Sequence, residues 1–224
     1  MPNWCDLDVM MYGSKETLEA IRDKGAEGTY ERGSDWNKET RKYETIENLP
    51  NTFSFANFSP IPAELKDTNG MSGGMEELHE AISKGRAGEY TDWYSWCIGN
   101  WGTKWDLDQF GATSVSEEIT ETETAGVYKW GVGGSTAWSP AFQIFQTISE
   151  QYPVKIVYQY AEEGMCFFGR AVIENGEVVE DDYREITSED YKLAGATLDE
   201  NGDVDWDNTD EYDLYKVFES DLTK

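Results

Sequence analysis

Carboxylates and indoles are the residues best suited to chemistry in this chain, and each type falls into a pattern. Asp199, Asn201, Asp203, Asp205 and Asp207 alternate oxygen ligands as a calcium loop does. An EF-hand loop starting at Asp199 needs glycine at its sixth position, where Val204 stands. Asn201-Gly202 reads instead as the turn of a hairpin. His79, the single histidine, flanks a predicted helix face among Glu76, Glu77 and Glu80. No nucleophile stands near it to form a pair. Gly131–Thr136 is glycine-rich, but a phosphate loop needs lysine before its Ser/Thr, and Gly134 precedes Ser135. The chain carries no Gly-x-Ser-x-Gly elbow and no His-Glu-x-x-His. The residues therefore predict no enzyme chemistry, no metal site and no cofactor.

The indoles concentrate elsewhere. Trp93, Trp96, Trp101 and Trp105, four of nine tryptophans, fall within one stretch that also holds Gly99 and Gly102. Indoles are costly to expose and need a partner for their N–H when buried. The stretch reads as a turn-rich plug rather than an amphipathic helix. Two roles stay open for it: an aromatic core, or one wall of a ligand cleft. Lys104 among these rings is expected to make a cation–π or packing contact.

The charge pattern points to a partner. The chain of 224 residues has 45 acidic and 18 basic side chains, a formal net charge of −27. Such a surface repels phosphate backbones and suits a partner with a basic groove. Glu174–Lys224 holds 18 of the acids and only four bases. The candidate partner-binding residues are Glu117, Glu118, Glu121 and Glu123, with Glu180, Asp181, Asp182, Asp199, Asp203, Asp205, Asp207 and Asp210. The alternative is that the acids serve solubility alone. Cys5, Cys97 and Cys166 are too few and too scattered for a disulfide framework. No leader pattern and no membrane-length apolar run is read in the chain, so a cytoplasmic location is expected.

The elements that must position these groups follow from periodicity. Trp4–Tyr12 alternates as a half-buried strand, with Cys5, Leu7, Val9 and Met11 inward. Ser14 caps a helix carrying Leu18 and Ile21, with Gly25 as its C-cap. Gly25–Leu49 reads as a long loop, and Met75–Lys84 as a short helix. Ala112–Thr124 and Tyr128–Val132 read as paired strands. The Gly131–Gly134 glycines predict a bulge or close packing, with a tryptophan as the candidate neighbour. Ser139-Pro140 opens a helix with Phe142, Phe145 and Ile148 at helical spacing. Val154–Tyr160 is a strand, and Asn175-Gly176 turns a hairpin. A second hairpin at Asn201-Gly202 and a helix after Asn208–Glu211, carrying Leu214, Val217, Phe218 and Leu222, form a folded acidic appendage.

Several segments, taken together, resemble the ferredoxin-like YubB-type proteins of bacteriophages and plasmids. The carrying residues are Met1–Cys5, Ser59–Leu65, Asn100–Asp106, Thr136–Pro140 and Gly164–Met165 with Phe168–Ala171. The resemblance implies an α+β fold with a ferredoxin-like β-α-β-β-α-β core. On it, residues 1–180 form the domain, with an insertion at about 25–111, and residues 181–224 form the acidic hairpin-plus-helix appendage packed on the same domain. "Ferredoxin-like" names a topology here; an iron–sulfur cluster needs four thiolates, and the chain has three cysteines. The resemblance transfers no catalytic residue.

The mobile-element origin implied by the resemblance joins the acidic surface in one expectation. The chain is a non-enzymatic binding protein that inhibits a host defence or nucleic-acid-handling factor, its carboxylates mimicking a phosphate backbone. The other reading is a small-ligand or nucleotide binder, or an enzyme, built on residues 93–105.

Overall fold

A computed structural model describes residues 3–37, 39, 42–66, 68, 90, 92–107, 113–209 and 211–217. The predicted helix over 75–84, with His79, lies outside them.

Strand β1 (Trp4–Gly13) buries Cys5, Leu7, Val9 and Met11, as its alternation dictates. Helix α1 (Lys15–Gly25) starts where Ser14 accepts from the backbone N–H of Thr17, and it buries Leu18 and Ile21. Gly25 serves packing rather than capping. It lies inside the helix, where a Cβ would meet Phe53 at 2.5 Å, and Ala26 takes the cap position. The stretch read as a loop after Gly25 instead holds two paired strands, β2 (Thr29–Asn37) and β3 (Lys42–Pro50), in a sheet of their own. Its many charged residues hide the period-two signal that a half-buried strand would show.

The tryptophan stretch also differs from its sequence reading. Trp93–Trp101 is helix α2, capped by Asp92 and ended by Gly102 at φ +85. It buries Trp96, Cys97 and Trp101, and its partly apolar surround masked the helical period. The predicted strand at 112–124 is two short pieces, β4 (Ser114–Val115) and β5 (Thr120–Glu121), both on β6 (Tyr128–Ala137). The β6 glycines admit that edge: a Cβ at Gly133 would meet Ser114 Oγ at 2.8 Å, and one at Gly134 would meet Leu107. The close neighbours are therefore serines, a methionine and a leucine rather than a tryptophan.

Helix α3 (Phe142–Gln151) starts two residues later than Ser139-Pro140 predicts. The Ser139 hydroxyl donates to Gly102 O instead, and the Tyr158 hydroxyl accepts from Ala141 N. Strands β7 (Lys155–Glu162), β8 (Phe167–Glu174) and β9 (Glu177–Glu185) follow. The β8–β9 turn is Asn175-Gly176, both at positive φ, as a two-residue hairpin requires. Helix α4 (Ser188–Ala194) is opened by a Thr187–Asp190 capping box.

The main sheet has seven strands, with β4 and β5 both pairing with β6 at one edge, then β6, β1, β7, β8 and β9 in order, antiparallel throughout. Helices α1 and α3 cover one face, where Val9, Trp130, Tyr158, Phe145 and Ile148 share one core with the α2 indoles. Each fully buried side chain of this size contributes about 1.5–3 kcal/mol, so this layer dominates stability. A smaller cluster lies on the opposite face, where Tyr191, Ala194, Leu214 and Val217 pack on Ala161 and Phe168. Leu198 and Val204 form a single bridge around Gly202, at φ +86. Of the predicted last helix, Leu214 and Val217 are buried, and its remainder after Val217 lies outside the described residues.

Candidate functional site

The predicted carboxylates do not form one surface. Glu117, Glu118, Glu121 and Glu123 lie along the β4–β5 edge, and Glu180, Asp181 and Asp182 lie on β9. Four strands separate the two groups, about 24 Å at the usual strand spacing. Asp199, Asp203, Asp205 and Asp207 sit in the segment around the Leu198–Val204 bridge. Asp210 is outside the described residues.

The groups also differ in what holds them. On β9, Arg184 binds Asp182 through two nitrogens, at 3.1 and 2.6 Å, and Arg170 reaches Glu180 at 3.6 Å. The hydrogen bond from Arg184 holds the Asp182 carboxyl below its ordinary value. Asp181 lies on the helix-covered face and accepts from the Tyr160 hydroxyl at 3.4 Å. Asp199 serves its own turn, accepting from Asn201 N and Asp203 N, and Asp205 accepts from Asn208 Nδ2. Glu121 accepts from Gly126 N. Glu117, Glu118 and Glu123 are exposed and hold neither a cation nor a hydrogen bond among the described residues. Glu117 and Glu118 line a groove of about 380 Å³ together with Met10, Ser116, Thr120 and Lys129.

The tryptophan stretch supplies a second candidate. Asn100–Asp106 and Thr136–Pro140, far apart in sequence, meet in space. Thr103 Oγ1 accepts from Ala137 N at 3.1 Å and donates to Ala137 O, and Thr103 is fully buried. The rings of Trp105 and Trp138 stack at 6.4 Å and 23°, and Trp4 adds a third ring at 6.0 Å from Trp105. Lys104 Nζ lies 3.7 Å from the Trp105 ring centroid and 4.9 Å from that of Trp138. The partial burial of this ammonium lowers its pKa. Trp138 holds a left-handed backbone, φ +66, uncommon for a bulky residue.

A cleft of about 620 Å³ opens beside this cluster, lined among others by Ile61, Lys66, Trp93, Trp101, Lys104 and Trp105. Asp106 also lines it, but its oxygens accept from Ser54 Oγ and from the backbone N–H of Phe55, Ala56 and Leu107. That carboxylate anchors the turn at Phe55–Asn57 to the plug. Cys97 lines the cleft as well, and burial pushes its thiol well up. Sequence reasoning flagged Lys104 but missed Lys66 and Asp106, because neither stands in a local pattern; the tertiary fold alone brings them to the indoles.

Residues 100–204 match the family model described as the ferredoxin-like domain in Api92-like protein. The chain carries a ferredoxin-like domain. The match takes in Asn100–Asp106 and Thr136–Pro140, the two segments that meet at Thr103 and Ala137, and runs through β9 and α4. The crystal structure of protein api92 from Yersinia pseudotuberculosis aligns with a TM-score of 0.44 and 6% sequence identity, covering 84% of this chain and 99% of that one. No curated protein matches the chain. Among the described residues, no helix is long and apolar enough to cross a membrane.

Proposed function

We propose that this chain is a non-enzymatic, phage- or plasmid-borne binding protein that docks on a basic surface of a host factor in the cytoplasm and inhibits it. The partner is a protein that handles nucleic acid or serves defence, and the carboxylates stand in for phosphates. The observation that carries this reading is the rim at Glu117, Glu118 and Glu123, three exposed carboxylates that hold no cation or hydrogen bond among the described residues. Such groups lose little on meeting lysine or arginine, because no internal partner is displaced. The β9 acids are the weaker candidates, since Arg170 and Arg184 already neutralise two of them. The net charge of −27 adds long-range attraction to any basic partner. In this reading β1, α1, the β4–β5 edge, β6, α3 and β7 make the β-α-β-β-α-β core, and the chain after Asp181 is its acidic appendage.

The test is capture from host lysate on tagged protein at about 50 and about 200 mM salt, with and without duplex DNA. Phosphate mimicry requires a partner that is lost at the higher salt and displaced by DNA, because counterion release makes such binding fall steeply. A partner that survives both treatments would keep the inhibitor and remove the mimicry.

A further inference from the structure

The cleft beside the indoles combines three features. Its walls include the indoles of Trp93, Trp101 and Trp105 with Ile61 and Pro60. It is lined by two cations, Lys66 and Lys104, and neither makes an ion pair among the described residues, although acids outnumber bases 45 to 18. It also has an unused donor. Trp101 Nε1 donates to Ser59 O at 2.9 Å, whereas the Trp93 indole N–H has no partner among the described residues. The acid in the cleft wall, Asp106, has its oxygens occupied by four internal donors.

Indole faces stack on planar rings of any base, and unpaired ammonium groups bind phosphate. A cleft of about 620 Å³ lies within the usual range for small-ligand sites, about 300–1,000 Å³. A long polyanion is opposed by the net charge of −27, so the ligand must be short. The Lys104 ammonium also lies 4.9 Å from the Trp138 ring.

We propose that this cleft binds a mononucleotide-class ligand, its base against the Trp93 and Trp105 indoles and its phosphate at Lys66 and Lys104. This site is separate from the acidic rim and does not depend on it. The experiment is isothermal titration of the full chain with each of the four ribonucleoside 5′-monophosphates, with adenosine and inorganic phosphate as half-ligands. At least one monophosphate should bind more tightly than either half-ligand. Lys66→Ala and Lys104→Ala should each weaken it roughly tenfold, the scale of one charge-assisted hydrogen bond. Lys66 is exposed, so Lys66→Ala leaves the fold intact and keeps the test valid if Lys104→Ala disturbs the ring cluster. The proposal is overturned if no monophosphate binds below about 1 mM, or if both lysine variants bind as the parent does. Salt-sensitive capture of a host protein by the Lys66→Ala variant should be unchanged, which separates this result from that of the acidic rim.

Discussion

Ser139 Oγ donates a 2.8 Å hydrogen bond to the carbonyl of Gly102. That carbonyl ends α2, and Ser139 stands just before α3, so one hydroxyl joins the exits of two elements. Thr103 and Ala137 repeat the tie one residue further along. The plug is therefore fixed to the end of β6, and the cleft wall inherits that rigidity. Ser139→Ala should cost about 1 kcal/mol in urea denaturation, the net worth of one hydrogen bond. Thr103→Val should cost more, about 1–3 kcal/mol, because it leaves the buried Ala137 N–H unsatisfied.

Asp106 anchors the turn at Phe55–Asn57 through three donors, Ser54 Oγ and the N–H groups of Phe55 and Ala56, and accepts a fourth bond from Leu107 N. Asp106→Ala should cost about 2–3 kcal/mol, since charge-assisted bonds are the strong ones and their donors lie partly buried. Asp106→Asn keeps the shape and loses the charge, so it should fall between the parent and the alanine variant in thermal unfolding.

Gly99 lies in α2, where alanine would normally add up to about 1 kcal/mol of helix propensity. Here a Cβ would sit 1.9 Å from the Tyr90 hydroxyl. Overpacking of this kind costs about 1–3 kcal/mol and outweighs the propensity gain. Gly99→Ala should lower Tm, and circular dichroism during heating reads it directly.

The Arg184 hydrogen bond keeps Asp182 below its ordinary value of 3.8. The folded value is depressed, so the contribution is present above about pH 4 and is lost as pH falls through the native value. Solvent exposure limits it to at most about 0.5 kcal/mol. Carbon-detected NMR titration should show Asp182 titrating low in the parent and near the ordinary value in Arg184→Gln.

The two acidic edges should behave differently. Glu117→Gln, Glu118→Gln and Glu123→Gln together should lower capture of a basic partner and flatten its salt dependence, each removed contact reducing the slope by about 1. Replacing each β9 pair as a unit, Glu180→Gln with Arg170→Gln and Asp182→Asn with Arg184→Gln, should change little, because each pair is removed with no net change in charge. Binding at several salt concentrations separates the two. Equal effects from both edges would assign the binding to both rather than to the rim alone.

Local chemistry alone determined much of this protein. The alternation of Cys5, Leu7, Val9 and Met11 fixed β1, Ser14 fixed the start of α1, and Asn175-Gly176 fixed the β8–β9 turn, because each signal acts within a few residues of itself. Where side chains serve distant partners, the local reading failed. Ser139 looks like a helix cap but bonds Gly102, and Gly25 looks like a helix stop but makes room for Phe53. The charged segment after Gly25 looks like a loop but pairs as β2 and β3. The acidic set was legible only as composition; the sheet decided that its members stand on opposite edges and that, among the described residues, arginines hold the β9 group alone. The cleft was half legible, as a run of indoles. Lys66 and the saturated Asp106 joined it only through the fold, because charge and hydrogen-bond satisfaction depend on neighbours in space and not on spacing along the chain.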